Sequence, residues 1–250
     1  MQGISRQDVQ IGSRWQIISS LGAALGLLLY GIHSFRDLRK SEIWYHIKWM
    51  GLGALPIISF TSIFVGLSLC TEVVLQLKEL GVEDQAGTLI SVGLLRELAF
   101  LTVSTAWSAR AAACIVEQLR ACQDILMMAT DTAGRLILPY LISALITGGV
   151  LSAYGLVMAI CTCAVYAPFL GDTTTADFLQ AVRAAIMDKD VYVFFVKVAL
   201  VGPVIAVLSG FVTARDQKLS TANAVGNAVS AAIVGMAIAN LSVTVAAFLP

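Results

Sequence analysis

Two places in this chain hold ionisable side chains where they are expensive. Leu94-Leu95-Arg96-Glu97-Leu98 lies inside an apolar run over residues 86–113. Lys197 lies inside a second run, within Phe195-Val196-Lys197-Val198. A charge at the centre of a bilayer costs from about 2.5 kcal/mol upward, so such residues face a partner helix or a wet cavity. Neighbouring residues on a helix point about 100° apart and do not face each other. Arg96 and Glu97 therefore each need a partner from elsewhere, and Lys197 is a candidate for Glu97. The chemistry on offer is recognition of a polar group inside a membrane, or an ion-pair set that fixes helix register.

Two further stretches carry a signal. Glu117, Arg120, Asp124, Asp131 and Arg135 interleave with Leu119, Ile125, Leu126, Met127 and Met128. That pattern is an amphipathic helix over about 115–134, either docking a cytoplasmic partner or lying on the membrane surface. Ser220–Ala232 has almost no bulk, which suits close helix contact or the wall of a wide cavity. Cys70, Cys114, Cys122, Cys161 and Cys163 are an odd set, four of them in or beside apolar runs, and read as small hydrophobes. No metal-ligand spacing, phosphate-binding loop or nucleophile elbow occurs, so no catalytic or metal residue is assigned.

The elements that position these residues follow from composition. The 250 residues are 58 % hydrophobic and 13 % charged, about half the charge of a soluble domain. With a mean hydropathy of +0.85, an ordinary soluble enzyme, a disordered chain and a basic nucleic-acid binder are excluded. Apolar runs at 50–77, 86–113, 136–170, 191–213 and 222–249 each reach the roughly 20 residues that a spanning helix needs. A weaker run at 15–33 has Trp15, Ile18, Leu21, Leu25, Leu28 and Ile32 on one face, with small or polar residues opposite. It reads as a helix lying in the interface rather than as a span.

Lys and Arg orient the spans. Alternate connections hold eleven basic residues against three, Lys78, Arg183 and Lys189. The N-terminal segment and the 114–135 and 214–221 connections are thus expected in the cytoplasm, with Pro250 outside. The expected fold is all-α and polytopic: five transmembrane helices, an N-terminal amphipathic elbow helix and a short cytoplasmic coupling helix. Residues 1–46 form the interfacial segment and 47–250 the five-span domain.

Several motifs together resemble the MlaE/YrbE permease family of MCE-associated ABC transporters. Leu94–Leu98 resembles its hydrophobic-Arg-Glu-Leu-Gly-Pro segment, and Ala109-Arg110-Ala111 its Ala-Gly-Arg-x-Gly element. Met128-Ala129-Thr130-Asp131-Thr132, with Arg135 and Pro139, resembles the pattern that closes its coupling helix. Phe64-Val65-Gly66, Lys197 and Ala224–Ser230 fall at matching places. The chain departs from the pattern in having Ala99-Phe100 for Gly-Pro, Thr132 for Pro, Asn227 for Arg, and a shorter coupling segment.

The resemblance implies a divergent permease subunit in a bacterial inner membrane. It would pass phospholipid or a related lipid between that membrane and MCE proteins on the outer face. A second permease copy or paralogue would complete a dimer, and cytoplasmic ABC ATPases would bind ATP and Mg, leaving this chain without a cofactor. By the same resemblance, Phe64, Gly66, Leu67, Arg96, Glu97 and Lys197 would contact lipid, and Glu117, Arg120, Asp124, Asp131 and Arg135 would couple to the ATPase. Two other readings stand beside it: a secondary transporter cycling protons through Glu97, and a non-transporting scaffold half of a heterodimer.

Overall fold

The computed structural model describes residues 40–121, 130–171, 173–215 and 220–248, and they are all-α, with no strand among them. Helix α1 (Lys40–Gly51) leads through a 3-10 turn at Leu52–Ala54 into α2 (Leu55–Leu80). Helix α3 (Ala86–Gly93) runs through a π turn (Leu94–Leu98) into α4 (Ala99–Ala121). Then come α5 (Thr130–Leu170), α6 (Thr175–Ala185), α7 (Asp188–Arg215) and α8 (Thr221–Phe248). The interfacial helix expected at 15–33 and the coupling residue Asp124 lie outside the described residues.

Among the described residues, five segments are long and apolar enough to cross a membrane: Ile43–Leu80, Glu83–Arg120, Ile142–Leu170, Asp188–Thr213 and Thr221–Phe248. They coincide with the five expected spans. All exceed the roughly 20 residues needed, which leaves room for tilt or extension past the hydrocarbon. The first span ends in a Schellman motif. Gly81, at φ 69°, takes the left-handed conformation that glycine adopts without penalty. Its N–H donates to the Lys78 carbonyl, and the Val82 N–H donates to that of Leu77.

Prolines sit in the interior of two helices, Pro139 and Pro168 in α5 and Pro203 in α7. Each removes a ladder bond, which a membrane helix tolerates where neighbours supply replacement partners. Ser143 Oγ lies 2.6 Å from the Pro139 carbonyl and 3.1 Å from that of Ile43, which ties α1 to α5.

Span two is the centre of the bundle, and spans one and five have the least cover. Trp107, Phe100 and Val103 of α4 pack with Met50, Ile58, Ile205 and Met236 in one core. A second core joins Cys70 and Val74 of α2, Ile90 of α3, Cys163 of α5 and Phe178 of α6. Cys70, Cys114 and Cys163 are buried and Cys161 is exposed, all as free thiols. Among the described residues no group of His, Cys, Asp or Glu could hold a metal ion.

Candidate functional site

The expensive residues meet partners on spans four and five. Span two widens at Leu94–Leu98, where the Ala99 N–H reaches back five residues to the Leu94 carbonyl. Such a turn inserts one extra residue, and π turns recur at functional sites. It changes the register, so that α3 packs on α6 while α4 packs on α7 and α8. Arg96 and Glu97 lie within the widened turn.

Arg96 holds Asp190 through two bonds, Nε to Oδ1 at 2.8 Å and Nη2 to Oδ2 at 3.4 Å. Lys197 Nζ donates to Glu97 Oε1 at 3.2 Å and to the Arg96 carbonyl. Asn240 Nδ2 donates to Glu97 Oε2, and Thr244 Oγ1 donates to Oε1. Asp190 and Lys197 stand two turns apart on one face of α7, opposite the two residues of span two. The four charges cancel. Arg96 also lies 4.5 Å from the centre of the Phe248 ring, with Lys189 Nζ 4.9 Å from the same ring.

Burial within this set is unequal. The Lys197 and Asp190 side chains are 0 % and 2 % exposed, whereas Glu97 and Arg96 are 39 % and 34 % exposed. One side of the cluster is therefore sealed by helices and the other opens at the surface of the chain. Hydrocarbon is an unsuitable neighbour for that open side. A cavity with water, a polar ligand or another protein surface is required.

A second polar surface lies on span one. Ser68, Thr71, Glu72, Leu75 and Gln76 line an open groove of about 510 Å³ along α2. Their spacing places them on one helix face. Phe60 and Phe64 continue that exposed face by whole turns, with ring centres 4.8 Å apart. Leu67 is half-buried beside it. Gly66 points the opposite way, into α5, where a Cβ would lie 2.8 Å from the Ala159 carbonyl oxygen. Phe64 and Gly66 thus do not share a wall. Arg96, Glu97 and Lys197 do come together.

The coupling residues divide. Glu117 and Arg120 lie in the last turns of α4, Glu117 exposed and Arg120 partly so. Asp131 and Arg135 lie on the first turns of α5. On span five, Ala224, Ala228, Ala232, Met236 and Asn240 form the buried stripe. Asn223, Gly226 and Ser230 lie on its exposed side, so the small-residue stretch packs inward on one face and stays open on the other.

A family model described as Permease MlaE matches residues 43–246. The chain belongs to this family. Membership makes it a multi-pass membrane permease, and the match extends over all five spans and both polar surfaces. A search of curated proteins finds no match. Four residues of this MlaE-family chain escape the sequence reading of the site: Glu72, Asp190, Asn240 and Thr244. Each had a signal. Glu72 stands four residues from Ser68 and from Gln76, a polar stripe in an apolar run, and Asp190 stands two turns from Lys197.

Proposed function

We propose that this chain is the permease subunit of an ABC-type transporter that passes phospholipid or a related lipid between the bacterial inner membrane and an MCE assembly. The charge-balanced set of Arg96, Asp190, Glu97 and Lys197, open on one side at the widened turn of span two, carries this reading. A lipid headgroup is itself charged or zwitterionic. A fixed set of donors and acceptors within a membrane helix bundle suits it without leaving net charge in the wall. The groove on span one, continuous with Phe60 and Phe64, supplies a mixed surface that suits the same amphipathic molecule.

A second copy or paralogue packs against the exposed small-residue side of span five, where Gly226 has nothing within 4 Å of an added Cβ. The Lys40 end of the bundle is cytoplasmic, and the loop carrying α6 faces the MCE proteins. An ATPase docks between the end of α4 and the start of α5. ATP and Mg belong to that partner.

The test is reconstitution of the complex in liposomes with a fluorescent phospholipid. Transfer is expected to require ATP. Arg120→Ala with Asp124→Ala is expected to leave the spans folded and the ATPase active, while transfer falls to background. Transfer by this chain alone under a pH gradient would sink the proposal in favour of proton cycling through Glu97. Normal coupling in the double variant would remove the docking role of that segment.

A further inference from the structure

Arg110 belongs to the Ala109-Arg110-Ala111 motif and has no place in the polar cluster of span two. It lies near the opposite end of that span, exposed, against the corner where α1 turns into α2. Its guanidinium lies across Gly53: a Cβ there would stand 2.6 Å from Cζ and 3.1 Å from Nε. Its Nη2 donates to the Trp49 carbonyl at 3.4 Å, the one hydrogen bond it makes among the described residues. No ion pair among those residues involves it. A guanidinium has five N–H donors, so among the described residues most of this fork is unspent.

The neighbouring surface has a definite chemistry. On α1 the exposed residues Trp44, Tyr45, Lys48 and Trp49 recur at a spacing that puts them on one face, and Leu52 follows on the 3-10 turn. Met50, on the other side, is buried in the core. Trp and Tyr concentrate at the level of lipid headgroups, so this face marks where the bilayer surface meets the chain. Arg110 reaches that level because it touches the Trp49 carbonyl. Lys48 adds a second exposed cation on the aromatic face.

We infer that Arg110, laid over Gly53 beside Lys48 and Trp49, is a binding site for the phosphate of an anionic phospholipid, separate from the polar cluster of span two. The planar fork matches a phosphate through two parallel hydrogen bonds, which an ammonium does not reproduce. The glycine lets the guanidinium lie flat at the corner, and the aromatic face holds the lipid's glycerol and upper chain region at the right depth. A bilayer phosphate, rather than a soluble one, is the ligand because the cations sit among Trp and Tyr.

The experiment is native mass spectrometry of the full chain, released from nanodiscs containing phosphatidylglycerol and phosphatidylcholine in equal amounts. Wild type is expected to retain phosphatidylglycerol preferentially. Arg110→Gln is expected to lower that preference about fivefold, the effect of one interfacial cation on an anionic lipid. Arg110→Lys should recover only part of it. Gly53→Ala keeps every charge but displaces the guanidinium, and is expected to act like Arg110→Gln. It serves as the decisive variant if Arg110→Gln fails to insert, with Lys48→Gln behind it. Equal retention by wild type and by the variants would overturn the site. Loss of the lipid on adding millimolar inorganic phosphate would also overturn it, because the ligand would then be a soluble anion. Lipid transfer is not the readout, so failure here is distinct from failure of the transport proposal.

Discussion

Glu97→Leu is expected to destabilise the chain by about 3–5 kcal/mol, the cost of leaving a buried charge without its partner. Lys197 is fully enclosed, and after the substitution it keeps, among the described residues, only the Arg96 carbonyl as an acceptor. The reverse change should be milder. In Lys197→Met the Glu97 carboxylate still receives Asn240 and Thr244 and remains partly open to its surroundings. The double variant Glu97→Leu, Lys197→Met removes both charges and is expected to recover most of the loss, since well-packed apolar pairs often match buried ion pairs. Thermal unfolding in detergent for the two single variants and the double completes a double-mutant cycle. Equal losses in both single variants would contradict the unequal burial.

The same cycle separates function from register. If the pair serves only to align spans two and four, the refolded double variant should transfer lipid at the wild-type rate per assembled complex. If the pair meets the substrate, transfer should stay at background although stability has returned. This result also bears on the scaffold reading, under which Arg96 and Glu97 matter for assembly alone.

Much of this architecture was legible in the sequence, because a bilayer imposes simple demands. The five apolar runs could only be spans, and 100° per residue forbade Arg96 and Glu97 from satisfying each other. The pairing of Lys197 with Glu97 follows from there being few buried opposite charges to choose from. Asp190 was harder to read. It stands in the acidic start of α7 with Asp188, and only the fold turns one of these two inward, buried against Arg96, while the other is exposed. Asn240 and Thr244 are ordinary polar residues of an apolar span until the packing of α8 on span two sets them against Glu97. The π turn was illegible for a different reason: it replaces one helical register by another, and periodicity over five residues does not resolve the two. Glu72 hid in a long apolar run, where one acid reads as an exception unless its neighbours at four-residue spacing are weighed with it.

Gly66 is where resemblance and geometry part. The resemblance places it with Phe64 and Leu67 against the lipid, but on α2 it faces α5. An added Cβ would lie 2.8 Å from the Ala159 carbonyl oxygen and 3.3 Å from the Ala159 Cα. Backbone cannot rotate away as a side chain does, so the helices must separate to admit even a methyl group. Cys163 reinforces the contact, its Sγ donating to the Gly66 carbonyl at 3.2 Å. Gly66→Ala is therefore expected to cost about 1–3 kcal/mol, as overpacking does, and Gly66→Leu more. Gly226→Ala is the control, because nothing lies within 4 Å of its added Cβ and alanine favours a helix over glycine. It should leave unfolding of the single chain unchanged or raise its midpoint. The measurement is the unfolding midpoint of each variant in detergent, with lipid transfer per folded complex. Substituting a contact glycine lowers the midpoint while transfer per folded complex is unchanged. Were Gly66→Ala to keep the wild-type midpoint while transfer dropped, Gly66 would belong to the lipid surface, and the packing of spans one and three described above would be wrong.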